Sequence, residues 1–62
     1  MNEYERVHTI LSQLATSVYI DVADINYWRN RVLSLHKYNR LSDAEACKLN
    51  MLLSNLEMKT GL

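Results

Sequence analysis

Proline is absent from this sequence and glycine occurs once, at Gly61. Those two residues are the strongest breakers of regular backbone, so nothing before Gly61 forces the chain out of a helix. Gly61 itself is the expected stop, since a helix end favours a residue able to take the left-handed conformation. Cysteine is nearly absent too. Cys47 stands alone, which excludes an intrachain disulfide, suits a reducing cytoplasm and leaves an intermolecular bridge open. Long apolar runs are missing: the longest span two or three residues, against the ~20 needed to cross a bilayer. Glu3 and Glu5 occupy the place of a basic leader region and no apolar stretch follows, so neither a secretory leader nor a membrane anchor is expected.

Excess charge of either sign is also lacking. Seven acids balance seven bases, which argues against non-specific nucleic-acid binding. The distribution is uneven, however. Glu3, Glu5, Asp21 and Asp24 face Arg6 alone in residues 1–24, whereas Arg29, Arg31, Lys37 and Arg40 have no acid among them in residues 25–40. Two antiparallel helices or two subunits can set register with such a contrast. The plainer reading is a solvated surface, because exposed pairs contribute little.

What the chain does have is apolar periodicity. Tyr4, Val7, Leu11, Leu14, Val18, Ile25, Trp28, Val32 and Leu35 share one heptad phase, interrupted only by Asp21. A first helix is expected from Asn2 or Glu3 to about Ser17, with acids at the positive end of its dipole. Between Ala15 and Asp24 the β-branched Thr16, Val18, Ile20 and Val22 weaken helix propensity, and Asp21 or Asp24 can each cap a new helix. Continuity of the heptad phase favours one bent helix over about 3–38. The β-branched cluster and the aspartates favour a turn near 18–23, and the turn is the preferred reading.

The next boundary is sharper. Ser42-Asp43-Ala44-Glu45 is a Ser-x-x-Glu capping box, preceded by Leu41 and with Ala46 placed for a modest hydrophobic staple. Asn39 tolerates the left-handed conformation, and Lys37 suits a helix C-terminus. Helices over about 24–38 and 43–59 therefore form an antiparallel hairpin. The last one carries a core stripe of Ala46, Leu49, Leu53 and Leu56, a second stripe of Cys47, Met51, Ser54 and Met58, and Leu52 on the far flank of the core. One hairpin cannot cover so much apolar surface. A 62-residue chain rarely draws more than about 3–5 kcal/mol from one core, so a single helical domain, 1–62, assembling as a helical-bundle dimer is expected.

Chemistry-bearing constellations are sparse. His8 and Ser12 adjoin at helical spacing but have no third orienting group or Gly-rich turn, so an exposed polar pair is the simpler reading. His8, His36 and Cys47 share no metal-ligand spacing, and no metal or cofactor is expected. Tyr27-Trp28-Arg29-Asn30-Arg31 is the densest cluster of residue types that anchor interfaces. Trp28 lies on the core stripe and is expected to be buried. Tyr27, Arg29, Arg31, Tyr38 and Arg40 are the candidate partner contacts, and Cys47, Met51 and Met58 the candidate oligomer interface. A helix-turn-helix reading would send the last helix into a major groove, yet it offers Lys48 and Lys59 against Asp43, Glu45 and Glu57.

Two resemblances bear on function. The opening Met1-Asn2-Glu3-Tyr4-Glu5-Arg6 of a tiny, neutral, helical chain resembles the small early-region proteins of lambdoid bacteriophages, nearest in character to those of the exonuclease–excisionase segment. That resemblance implies a non-enzymatic accessory protein acting on a host or phage protein in the host cytoplasm. The nine residues Lys37-Tyr38-Asn39-Arg40-Leu41-Ser42-Asp43-Ala44-Glu45 are similar to the turn before the third helix of the Hha family, which modulates nucleoid-associated H-NS. Where that family has Ala-Asp-His-Arg in the following helix, this chain has Leu52-Leu53-Ser54-Asn55, and no site is carried over. The expected function is a protein-binding adaptor or regulator that partners itself and another protein. The alternative is a small nucleic-acid-binding regulator using the basic 29–40 segment.

Overall fold

Three capped helices account for most of the chain. The structure, a computed structural model, describes residues 2–60, so the stop expected at Gly61 lies outside the described residues. Helix α1 covers Glu3–Ala15, α2 covers Val22–Lys37 and α3 covers Asp43–Lys59, with no strand among the described residues.

Each boundary has a local cause. Asn2 caps α1 by accepting the Glu5 amide at 2.8 Å, and Glu3 and Glu5 lie in the positively polarised first turn. The helix stops at Ala15, two residues short of expectation. There the Thr16 hydroxyl turns back to donate to the Gln13 carbonyl at 2.8 Å, and Lys59 donates to the carbonyl of Ala15. The chain then breaks, as the β-branched cluster predicts. Of the two aspartates, Asp21 is the cap, accepting from the Ala23 amide at 2.9 Å, so α2 starts at Val22 and Asp24 falls in its first turn.

The hairpin between α2 and α3 is built by backbone geometry. Asn39 takes φ 60°, the Arg40 amide donates to the Leu35 carbonyl at 2.8 Å, and the Asn39 amide donates to that of His36 at 3.1 Å. This is a Schellman arrangement with asparagine in the place glycine usually fills. The capping box follows at once: Ser42 accepts the Glu45 amide at 3.1 Å, and Glu45 accepts the Ser42 amide at 3.0 Å. Leu41 and Ala46, on either side of the box, are both buried.

Helix α3 is the centre of the fold. It packs against both α1 and α2, whose own Cα traces never come within 8 Å of each other. Ala46, Leu49, Leu53 and Leu56 are buried, and around them lie Val7 and Leu11 from α1, Ile25, Val32 and Leu35 from α2, and Leu41 from the hairpin. Tyr4, Leu14, Ile20 and Leu52 pack partly buried at the edges. Among the described residues no buried side chain is polar or charged, so this core holds together by apolar burial, about 1.5–3 kcal/mol for each large side chain. The radius of gyration, 11.1 Å, is near the ~10.6 Å expected of a folded chain this long.

Two expectations need correction. Val18, placed on the core stripe by its heptad phase, sits fully exposed in the linker, because the stripe is interrupted where the helix is. Trp28 is half-buried at the core edge, its ring edge-on to Tyr27 at 5.0 Å, and is not a fully enclosed residue. The acidic segment of residues 1–24 and the basic segment of 25–40 make no ion pair with each other among the described residues, as the plainer reading of a solvated surface expects. Among the described residues the Arg29–Glu57 ion pair and the His36–Asp43 hydrogen bond both join α2 to α3, consistent with the antiparallel hairpin.

The hub position of α3 predicts which changes are severe. Leu53→Ala, at a site with no exposed surface, should cost about 2–5 kcal/mol and leave little folded protein. Ser42→Ala should cost about 1 kcal/mol by removing one half of the capping box. Urea unfolding followed by circular dichroism reads both. Equal, sub-kilocalorie losses would contradict the assigned core.

Candidate functional site

The outward side of α2 carries the first surface. Tyr27, Arg31, Ser34 and Tyr38 recur at spacings of four, three and four, which stacks them along one helical face. All four are exposed, Tyr27 at 58% and Tyr38 at 70%. Near the C-terminal end of α2, Arg31, Ser34, Tyr38 and Arg40 line a shallow groove that Glu3 of α1 closes from the other side. Lys37 lies 5.9 Å from the centre of the Tyr38 ring, within cation–π range. A groove edged by two guanidinium groups and a phenol can grip a carboxylate or a polar segment of a partner.

Arg29 is not part of this face. It points the other way around α2 and pairs with Glu57 of α3, both side chains about 40% exposed (39% and 41%). Of the five residues expected to touch a partner, the fold therefore brings Arg31, Tyr38 and Arg40 to one groove. Tyr27 lies further along the same stripe, and Arg29 is held within the fold.

The outward side of α3 is the second surface. Cys47, Met51 and Met58 are exposed, Met51 at 63% and Met58 at 76%, and Ser54 lies between them. Along one flank runs an open groove with His36, Asp43, Cys47 and Asn50 on its walls. His36 Nε2 lies 2.6 Å from Asp43 Oδ1, so the histidine bridges the end of α2 to the start of α3.

Residues considered for chemistry are scattered. Ser12 Oγ is 3.5 Å from His8 Nδ1, at the limit of a hydrogen bond, and the pair is on the surface of α1. His36 and Cys47 border the α3 groove, while His8 lies beside Tyr4 on another helix. Among the described residues, no group of three or more His, Cys, Asp or Glu is placed to hold a metal ion. None of the helices formed by the described residues is long and apolar enough to cross a membrane.

Two exposed features escaped the sequence reading. Tyr19 joins Val18 at the surface of the linker, and Leu33 is exposed on α2. Leu33 falls off the a/d phase, a signal that was present; nothing in the pattern sets Tyr19 apart from its apolar neighbours. The sequence matches no protein-family model, and comparison with curated proteins and with solved structures finds no similar protein.

The division between Arg29 and the other arginines is measurable. Arg31→Ala and Arg40→Ala should leave stability within about 0.5 kcal/mol, as surface changes do. Arg29→Ala should lower it by about 0.2–1 kcal/mol through loss of a partly exposed pair, and by less at high salt. Thermal melts at two salt concentrations check this. A salt-independent loss at Arg31 would contradict the assignment.

Proposed function

We propose that this chain is a non-enzymatic protein-binding adaptor or regulator, dimeric and encoded by a phage, that acts on a host or phage protein in the host cytoplasm. The observation that carries the reading is the α2 stripe. It presents Tyr27, Arg31 and Tyr38 outward on a helix whose other side is anchored in the core. Tyrosine and arginine bring large contact area and multiple hydrogen bonds at modest entropic cost, and they dominate binding energy at interfaces. A stripe held on a rigid helix is already in its binding geometry, so less energy is lost on docking. The phage assignment is supported by the resemblance in size, charge and opening residues alone.

Dimerisation is supported by the small core. Among the described residues ten are buried, one of them an alanine, while α3 leaves Met51 and Met58 outside. The rival reading, a nucleic-acid-binding regulator, is supported by Arg31, Lys37 and Arg40, which stay exposed. It is weakened by Glu57, which engages Arg29, and by Glu3, which shares the groove of Arg31 and Arg40.

A salt titration separates the two. Phosphate binding falls steeply as salt rises, whereas docking through aromatic and apolar contact changes little. The adaptor reading expects no tight DNA binding near physiological salt. It also expects a partner captured from bacterial lysate to be lost in the doubly substituted Arg31→Ala/Tyr38→Ala chain, with the thermal melt unchanged. Tight, strongly salt-dependent DNA binding that the same substitutions abolish would overturn it.

A further inference from the structure

We propose that the outer face of α3 is the dimer seam, and that it pairs with α3 of a second copy in parallel and in register. This rests on the dimer reading above and specifies its geometry. The exposed stripe is a two-heptad a/d series: Ala44, Met51 and Met58 at a, Cys47 and Ser54 at d. The opposite positions, Ala46, Leu49, Leu53 and Leu56, are the buried face, so the seam and the core use separate sides of one helix. Small residues at d let the two helices approach, and the methionines at a adapt to fill the layers between.

Direction follows from the flanks. The g positions are Asp43, Asn50 and Glu57, the last already paired with Arg29 of its own copy, and the e positions are Lys48 and Asn55. In a parallel pair each g residue meets the e residue five positions on in the other helix. Asp43 then faces Lys48 of the second copy, and Asn50 faces Asn55 of the second copy; the twofold axis makes each contact twice. Asp43 is free to do this, since its side chain is 98% exposed and its contact with His36 uses one carboxylate oxygen. An antiparallel pair sets g against g, and with Cys47 opposite Ser54 of the second copy it brings Asp43 toward the acid Glu57. The parallel arrangement alone turns the flank charges into attraction.

Cys47 reports the difference. In the parallel seam the two Cys47 residues share a d layer, within the Cα separation of about 4.4–6.8 Å that a disulfide needs. In the antiparallel seam they are seven residues apart along the axis, roughly 10 Å at 1.5 Å per residue.

The test combines sedimentation equilibrium of the full chain with diamide oxidation, in which two thiols yield one disulfide and diamide takes up the two hydrogens. Wild type should sediment as a dimer at high micromolar concentration and oxidise to a covalent dimer. The Cys47→Ser/Ser54→Cys chain should do the same through the other d layer. Cys47→Ser/Asn26→Cys, with its thiol on the exposed side of α2, should sediment as a dimer but cross-link far more slowly. Met51→Asp should return the mass to monomer with the helical spectrum retained. A dimer in which neither single-thiol seam variant cross-links faster than that control, while Cys47 with Ser54→Cys together cross-link readily, overturns the parallel seam and leaves the dimer standing. A monomer at every concentration, with no preferential cross-link, removes both.

Discussion

Burial of one face of α3 is the interaction on which everything else depends. The Cα traces of α1 and α2 stay more than 8 Å apart, and each helix is held chiefly by the leucines of α3. An isolated helix of this length is marginal in water, so α1 and α2 persist because their apolar stripes find α3. Polar contacts and caps refine that arrangement. Arg29–Glu57 and His36–Asp43 align α2 against α3, Lys59 ties the end of α3 to the end of α1, and the capping box fixes where α3 begins. None of them replaces apolar burial, since all lie at or near the surface.

That organisation also decides where recognition can occur. A helix packed on one side only has a free outer side, and those of α2 and α3 carry the residue types that anchor interfaces. The outer side of α2 mixes phenol and guanidinium groups, suited to a chemically different partner. The outer side of α3 is thioether-rich with small residues between, and it is the side proposed for self-contact. The two surfaces lie on different helices, so a dimer through α3 leaves α2 open to another protein. Two copies of the α2 stripe on one dimer would raise avidity for a partner that is itself repeated.

Much of this architecture was legible in the sequence, because the residues involved act locally. Ser42 and Glu45 specify their helix start with their own side chains, and Asn39 specifies the turn with its own backbone. The α3 core stripe is legible for a related reason: four apolar residues on one face leave one way to bury them. The linker was harder. Heptad phase continues through Val18 although the helix does not, and only the β-branched neighbours and the capping Asp21 hint at the break. Arg29 shows the limit on the candidate surfaces. Its pairing with Glu57 depends on a register between distant segments that no local pattern encodes. Trp28 is similar: its phase puts it on the inward side, but how deeply it sinks depends on tertiary packing that the local pattern does not encode.

The central claim is that α3 is shared between the fold and the self-contact, and native-state hydrogen exchange at two protein concentrations tests it most directly. The amides of Leu49, Leu53 and Leu56 should be the slowest in the chain, opening only with global unfolding, and their protection should rise with protein concentration as dimerisation stabilises the folded state. Slowest exchange in α1 or α2, or protection in α3 that ignores concentration, would contradict it.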